Sequence, residues 1–332
     1  MIPQEKLAEQ FRKYVRDNKL FTTDDRILLT VSGGVDSMVM LSLFVRCGYN
    51  VGVAHCNFQL RGAESDEDEV VVAEEAAKYG VVCYNKRFET TAEMERTGDS
   101  MEMTARRLRY AWFDELCDEH GYTAIAVAHH IDDSVETFFI NLLRGTGLRG
   151  LTGISNQRGH IVRPLMFATR KEITEYALAN HIPFREDSSN RSTKYLRNKI
   201  RLGLVPMIKE INPKFTALMQ GNIAHLTDAQ LFIDHAMEKI RDIAVDSADG
   251  VDTLHIDRID KAFPLNFVIY ELLNSVYGFK SDVVAGLCRS LEHGNSGKRF
   301  YSKEYVAHVD RGNVIISRIT EEDDCETTVE AD

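Results

Sequence analysis

The 332-residue chain is 44% hydrophobic and 27% charged, the composition of a globular protein long enough for about two domains. Its six cysteines, at 47, 56, 83, 117, 288 and 325, include no Cys-x-x-Cys pair and read as small buried hydrophobes, not as a disulfide frame or metal cluster. No apolar run approaches the ~20 residues of a membrane span, and the formal net charge of −11 weighs against a polyanionic partner for the molecule as a whole.

Residues 5–20 place Leu7, Phe11, Tyr14 and Val15 at helical spacing. Ile27-Leu28-Leu29-Thr30-Val31 is a short continuous apolar run, the pattern of a buried strand. A glycine loop follows, and residues 37–47 then form a helix apolar on nearly every face, which implies deep packing. Further on, strands are expected at 51–55, 81–84, 124–128 and 161–162. Helices are expected at 67–79, stopped by Gly80, at 102–120, closed by Gly121, and at 133–144. Strands alternating with helices imply an α/β fold, a doubly wound parallel sheet that binds ligands beyond the carboxyl ends of its strands. Past about residue 215 the pattern changes. Helices are expected at 217–247, 263–277 and 281–293, and a hairpin around Arg311-Gly312-Asn313. The division expected is 1–215 for the α/β domain, 216–320 for a smaller, mostly helical domain, and 321–332 for an acidic tail or linker without a core pattern.

The loop Ser32-Gly33-Gly34-Val35-Asp36-Ser37 joins an apolar strand to an apolar helix. Its glycines allow close backbone approach, and the helix start offers amides to an anion. It lacks the Gly-Lys-Ser/Thr ending of the common triphosphate loop and the Gly-x-Gly-x-x-Gly of dinucleotide folds. Instead Asp36 stands in the anion site, and a carboxylate beside phosphate calls for a bridging cation such as Mg²⁺. After the fourth strand, Asp132, Asp133 and Glu136 open a helix. Acid at a helix start is ordinary dipole compensation, but three carboxylates at a ligand-facing strand end suit Mg²⁺ or ammonium groups as well. From Arg144 to Lys171 the chain has no Asp or Glu, and Lys194, Arg197, Lys199 and Arg201 follow. On an acidic protein such a basic stretch suits a nucleic-acid backbone.

The glycine loop resembles the pyrophosphate loop of the N-type ATP pyrophosphatases, the PP-loop superfamily with its adenine nucleotide α-hydrolase-like fold. Further strings narrow the resemblance. They are His55-Cys56-Asn57-Phe58-Gln59-Leu60-Arg61-Gly62, Arg106-Arg107-Leu108-Arg109-Tyr110, Ala128-His129-His130-Ile131-Asp132-Asp133-Ser134-Val135-Glu136, Arg144-Gly145-Thr146-Gly147-Leu148-Arg149-Gly150, Arg163-Pro164-Leu165, Arg170-Lys171-Glu172-Ile173, Asp187-Ser188-Ser189-Asn190 and Arg197-Asn198-Lys199-Ile200-Arg201. In this order, over about residues 25–215, they resemble the tRNA(Ile)-lysidine synthetase family.

The resemblance implies a cytoplasmic ligase that forms a carbon–nitrogen bond between L-lysine and the wobble cytidine of tRNA(Ile) with a CAU anticodon. The reaction consumes ATP with Mg²⁺, and a homodimer is the expected assembly. Ser32, Gly33, Gly34, Val35, Asp36, Ser37, His55 and His129 are then expected around the nucleotide, with Asp36 also toward the metal. Asp36, Arg109, Asp133 and Glu136 are expected to carry the chemistry, Arg109 by offsetting charge on the departing pyrophosphate. Glu102, Arg106, Asp132, Arg144, Arg149, Lys194, Arg197 and Arg201 are expected to meet lysine or tRNA. A tRNA thiolase on the same fold is the nearest competitor, and the absence of paired cysteines counts against it. A non-catalytic nucleotide sensor would not require Asp36, the acidic trio and two basic segments together.

Overall fold

The structure, a computed structural model, describes residues 3–185, 196–294 and 297–320. Contacts divide the chain into two compact units, residues 1–227 and 228–332. The division falls inside the long helix after residue 215, not before it, because Phe215, Met219 and Ile223 pack with Val135, Ile200 and Val205 of the first unit.

The first unit is built on strands β1 (Arg26–Thr30), β2 (Asn50–Asn57), β3 (Cys83–Arg87), β4 (Ala124–Ala126), β5 (Gln157–Arg158) and β6 (Ile161–Val162). They lie in the order β3-β2-β1-β4-β6-β5, parallel throughout except for β5 against β6. Helices α1 (Pro3–Asp17), α2 (Val35–Arg46), α3 (Ala63–Lys78), α4 (Thr90–Thr97), α5 (Met101–His120), α6 (Ile131–Arg144), α7 (Leu148–Leu151) and α8 (Arg170–Ala179) follow in chain order. Alternation along β1 accounts for the two layers. Ile27 and Leu29 join α1, α2, α3 and α8 in one core, and Leu28 faces Trp112, Phe113 and Leu116 of α5 in another. The strand order reverses between β2 and β4 on either side of β1, so the switch point lies at the end of β1.

Several boundaries differ from those read in the sequence. Helix α3 starts at Ala63, earlier than expected, and β3 begins at Cys83, later than expected. Helix α8 was missed as an element, although Thr169 and Glu172 form a reciprocal capping box that the string Thr-Arg-Lys-Glu announces. A short helix, α9 (Leu196–Lys199), runs through a π-helical turn at Ile200–Leu204 into α10 (Val205–Ile211), and α11 (Phe215–Ala244) follows.

The second unit contains α12 (Leu265–Tyr277) and α13 (Ser281–Glu292), close to the helices expected. To these the structure adds a five-stranded antiparallel sheet of β7 (Val245–Ala248), β8 (Val251–Leu254), β9 (Arg299–Tyr301), β10 (Tyr305–Asp310) and β11 (Asn313–Arg318), in the order β7-β8-β11-β10-β9. The hairpin turn is where the sequence placed it, with Arg311 at φ 48° and Gly312 at φ 81°, the signs of a two-residue primed turn. The expected helix 217–247 stops at Ala244 because the chain there enters β7. Residues 321–332, expected to be a tail, lie outside the described residues.

Phe44 of α2 is fully buried and meets Phe11 and Phe21 with ring centroids 5.1 Å away in each case. Phe44→Ala should cost about 3–5 kcal/mol of unfolding free energy, read as a lower denaturation midpoint with unchanged slope.

Candidate active site

Beyond β1 the chain turns through Ser32, Gly33 and Gly34 into α2. Gly33 has φ 89°, a left-handed conformation, and a Cβ there would stand 3.3 Å from Asp68 Cβ. Gly34 caps α2 in an extended conformation without a side chain accepting from the first turn. The first helix amides therefore face the loop without an internal partner, where the dipole favours an anion. Ser37 braces this turn: its Oγ accepts from Ser32 N at 3.1 Å and donates to Gly34 O at 2.9 Å.

Two cavities meet at the loop, and Ser32, Gly34 and Asp36 line both. The smaller, about 300 Å³, is walled by Ala54, Cys56, Phe58, Phe113 and Val127, with Arg109, His129 and Asp133 as its polar groups. The larger, about 840 Å³, is lined mostly by charge, including Arg61, Asp68, Asp132, Glu136, Arg170, Arg185, Arg201 and Lys209. A compartment with aromatic and aliphatic walls and a few polar groups, beside one ringed by charged side chains, suits a nucleoside and its phosphates.

Asp36 lies at the junction. One carboxylate oxygen pairs with Arg170, and the other, Oδ1, is buried without a hydrogen-bond partner, 3.7 Å from His130 Nε2. Burial pushes the Asp36 pKa above the ordinary carboxylate value, against the pull of His130 and Arg170. Among the described residues no three His, Cys, Asp or Glu side chains are grouped to hold a metal ion by themselves. A cation at Asp36 would therefore need phosphate and water for its other ligands.

The histidines differ in setting. His55 is buried, with Nδ1 2.8 Å from Val31 O, and burial lowers its pKa. It supports the end of β1 from behind and is not among the lining residues of either cavity. His129 does line the smaller cavity. Burial pulls its pKa down to about 4, so it is neutral at neutral pH. His130 begins α6, and its amide donates to Asp133 Oδ2 at 3.0 Å.

Asp133 and Glu136 are buried on one side of α6 and are gripped from the segment carrying the π-helical turn. Arg197 Nε donates to Glu136 Oε2 at 2.7 Å, and Arg201 Nε donates to Glu136 Oε1 at 2.6 Å. Both guanidiniums also reach Asp133 Oδ1, at 3.3 and 3.4 Å. Burial opposes the Asp133 carboxylate, but His130, His129 and Arg197 outweigh it, so its pKa lies below the ordinary value. Arg197 and Arg201, expected to contact RNA, thus close over the two carboxylates in this structure. Asp132 accepts from Arg170 N at 2.9 Å and pairs with Lys209 Nζ at 3.1 Å.

The remaining expected residues are less gathered. Arg109 lies over the Phe58 ring at 5.2 Å and faces the smaller cavity, while Arg106 stacks over Tyr110 at 5.0 Å. Glu102, Arg106, Arg144 and Arg149 are exposed. Lys194 and the turn Asp187-Ser188-Ser189-Asn190 lie outside the described residues. The sequence reading did not single out Asp68, Arg170, Arg185 or Lys209 as site residues. Each comes from an element distant in sequence, and of the four only Arg170, which opens the string Arg170-Lys171-Glu172-Ile173, had a local signal.

Replacing Asp36 by Asn tests the strain of this buried charge. Because the folded pKa is raised, the charged form destabilises the native state at pH values above it. Asp36→Asn should therefore raise the thermal midpoint at neutral pH, and the gain should shrink as pH falls through the folded pKa, where wild type is protonated. Scanning calorimetry at neutral and acidic pH checks both.

Two family models match the chain, one within each compact unit. The PP-loop domain family model matches residues 3–208, and the TilS substrate binding domain matches residues 247–319. The tRNA(Ile)-lysidine synthase of Bacteroides thetaiotaomicron is 39% identical over 319 residues, 96% of this chain and 73% of that protein. The tRNA(Ile)-lysidine synthase of Parabacteroides distasonis is 37% identical over 318 residues, 94% of this chain and 70% of that protein. Among solved structures, the U34-tRNA thiolase NcsA of Methanococcus maripaludis superposes with a TM-score of 0.57 at 15% identity, over 68% of this chain and 79% of that one, a likeness of fold alone. Cys56, in the smaller cavity, has its thiol pushed up to about 12 by burial and so stays protonated, unlike a sulfur nucleophile. The PP-loop match assigns ATP use to the first unit. By both domains and by identity over nearly its whole length, this chain belongs to the tRNA(Ile)-lysidine synthase family.

Proposed function

We propose that the chain joins L-lysine to C2 of the wobble cytidine in tRNA(Ile) with a CAU anticodon, through an adenylylated intermediate. One observation carries this reading above others. A buried carboxylate pair, Asp133 and Glu136, already gripped by two cationic side chains, stands beside the glycine loop. An ammonium group can exchange for one of those guanidiniums on the carboxylates, and a lysine co-substrate presents such groups next to bound ATP.

The chemistry divides into two displacements. Cytidine O2 attacks the α-phosphorus, and the bond to the α–β bridging oxygen breaks with its electron pair leaving on pyrophosphate. The lysine amine then attacks C2, and the C2–O bond breaks to release AMP. Adenylylation turns a poor leaving oxygen into a good one, so the protein chiefly aligns three substrates and offsets charge. The amides at the start of α2 and the Asp36 locus would hold the phosphates, and Arg109 faces the smaller compartment where the α-phosphate meets the nucleoside. The buried, unpartnered Asp36 Oδ1 fits a role as the protein ligand of Mg²⁺, which when bound would neutralise phosphate charge. Free lysine is mostly protonated at neutral pH. Asp133, whose pKa lies below the ordinary value, is ionised there and suited to orienting the ammonium, while the proton that the amine must lose before it attacks C2 goes to solvent.

Incubation with ATP, labelled lysine and the candidate tRNA should give label in the tRNA, and a cytidine-to-uridine change at the wobble position should abolish it. Asp133→Asn combined with Glu136→Gln should lower lysine incorporation by at least ~10²-fold. Unchanged turnover would remove both from the mechanism.

A further inference from the structure

Behind the glycine loop sits a buried carboxylate to which neither displacement assigns a role. Asp68, in the second turn of α3, is 6% exposed. Its Oδ2 accepts from Arg61 Nη2 at 2.7 Å, and its Oδ1 pairs with Arg185 Nε at 2.9 Å. Arg185 reaches Glu67 as well, at 2.5 Å. The same group is tied to the loop on two counts. Arg185 N donates to Gly33 O at 3.0 Å, and Asp68 itself packs against the face of Gly33, where any added Cβ would meet it at 3.3 Å. Arg61, Asp68 and Arg185 all line the larger, charged cavity together with Ser32, Gly34 and Asp36.

We propose that Asp68 is a positioning residue that locks the glycine loop and aims Arg61 and Arg185 at the β- and γ-phosphates, so that these two arginines receive the departing pyrophosphate. The geometry separates this role from that of Arg109, which lines the nucleoside compartment and not the charged one. A carboxylate with each oxygen engaged by a different guanidinium fixes both forks, and guanidinium forks match phosphate oxygens in geometry. The left-handed Gly33 is part of the same device, because its missing Cβ lets Asp68 approach the loop. This inference rests on the ATP-binding reading of the loop.

The test compares equilibrium binding of magnesium pyrophosphate and of AMP by calorimetry, in wild type, Asp68→Asn, Arg61→Gln, Arg185→Gln and the conservative Arg185→Lys. Pyrophosphate binding should weaken about tenfold or more in each amide variant, the worth of a lost charge-assisted hydrogen bond. AMP binding should move less than about twofold, and Arg185→Lys should recover part of the loss. Equal weakening of both ligands, or unchanged pyrophosphate binding, would overturn the assignment. Far-ultraviolet circular dichroism identifies any variant that fails to fold, and the remaining variants then decide. A wild-type protein that binds neither ATP nor pyrophosphate would instead overturn the nucleotide reading, and this inference with it.

Discussion

The structure is organised around a carboxylate placed where an anion belongs. The start of α2 points its unsatisfied amides at the loop after β1, and Asp36 sits in the first turn of that helix. Without ligand the charge is answered by Arg170, by the ring of His130 and, through burial, by a raised pKa. The surrounding elements supply these answers. Helix α8 brings Arg170, which also ties its own amide to Asp132, and α6 brings His130. A binding site whose charges are compensated internally in the free state exchanges protein partners for ligand partners. That limits the desolvation cost of filling it.

The second compensated group is the Asp133–Glu136 pair. Buried ion networks give little net stability compared with well-packed apolar side chains, whereas removing one partner leaves a costly lone charge. Stability alone therefore gives little reason for the network around Glu136. The π-helical turn at Ile200–Leu204 fits that view, since π-bulges interrupt a helix at a cost and recur at functional sites. Here Arg201 sits within that turn and reaches both carboxylates. The nucleotide and the amine would thus bind side by side, on the starts of α2 and α6, which follow the neighbouring strands β1 and β4 at the switch point of the sheet.

Much of this was legible in the sequence because its signals are local. The strands at 27–31, 51–55 and 124–128 announce themselves as short apolar runs, and the glycine loop by its string. What stayed hidden was of two kinds. Polar, largely exposed strands such as Val245–Ala248 carry no apolar alternation, so the second unit's sheet showed only its hairpin. Long-range pairings such as Asp68 with Arg185, or Glu136 with Arg201, follow from chain topology and leave no spacing to read. For the same reason Arg197 and Arg201 read in the sequence as RNA contacts. Only the fold reveals that they cover two carboxylates.

The central claim is that the wobble oxygen itself is adenylylated at this loop. The most direct measurement uses tRNA(Ile) carrying ¹⁸O at O2 of the wobble cytidine, with ATP and lysine, and mass spectrometry of the released AMP. Adenylylation followed by displacement at C2 predicts AMP that retains the ¹⁸O, in step with lysine incorporation. Unlabelled AMP formed at the same rate as lysidine would contradict it.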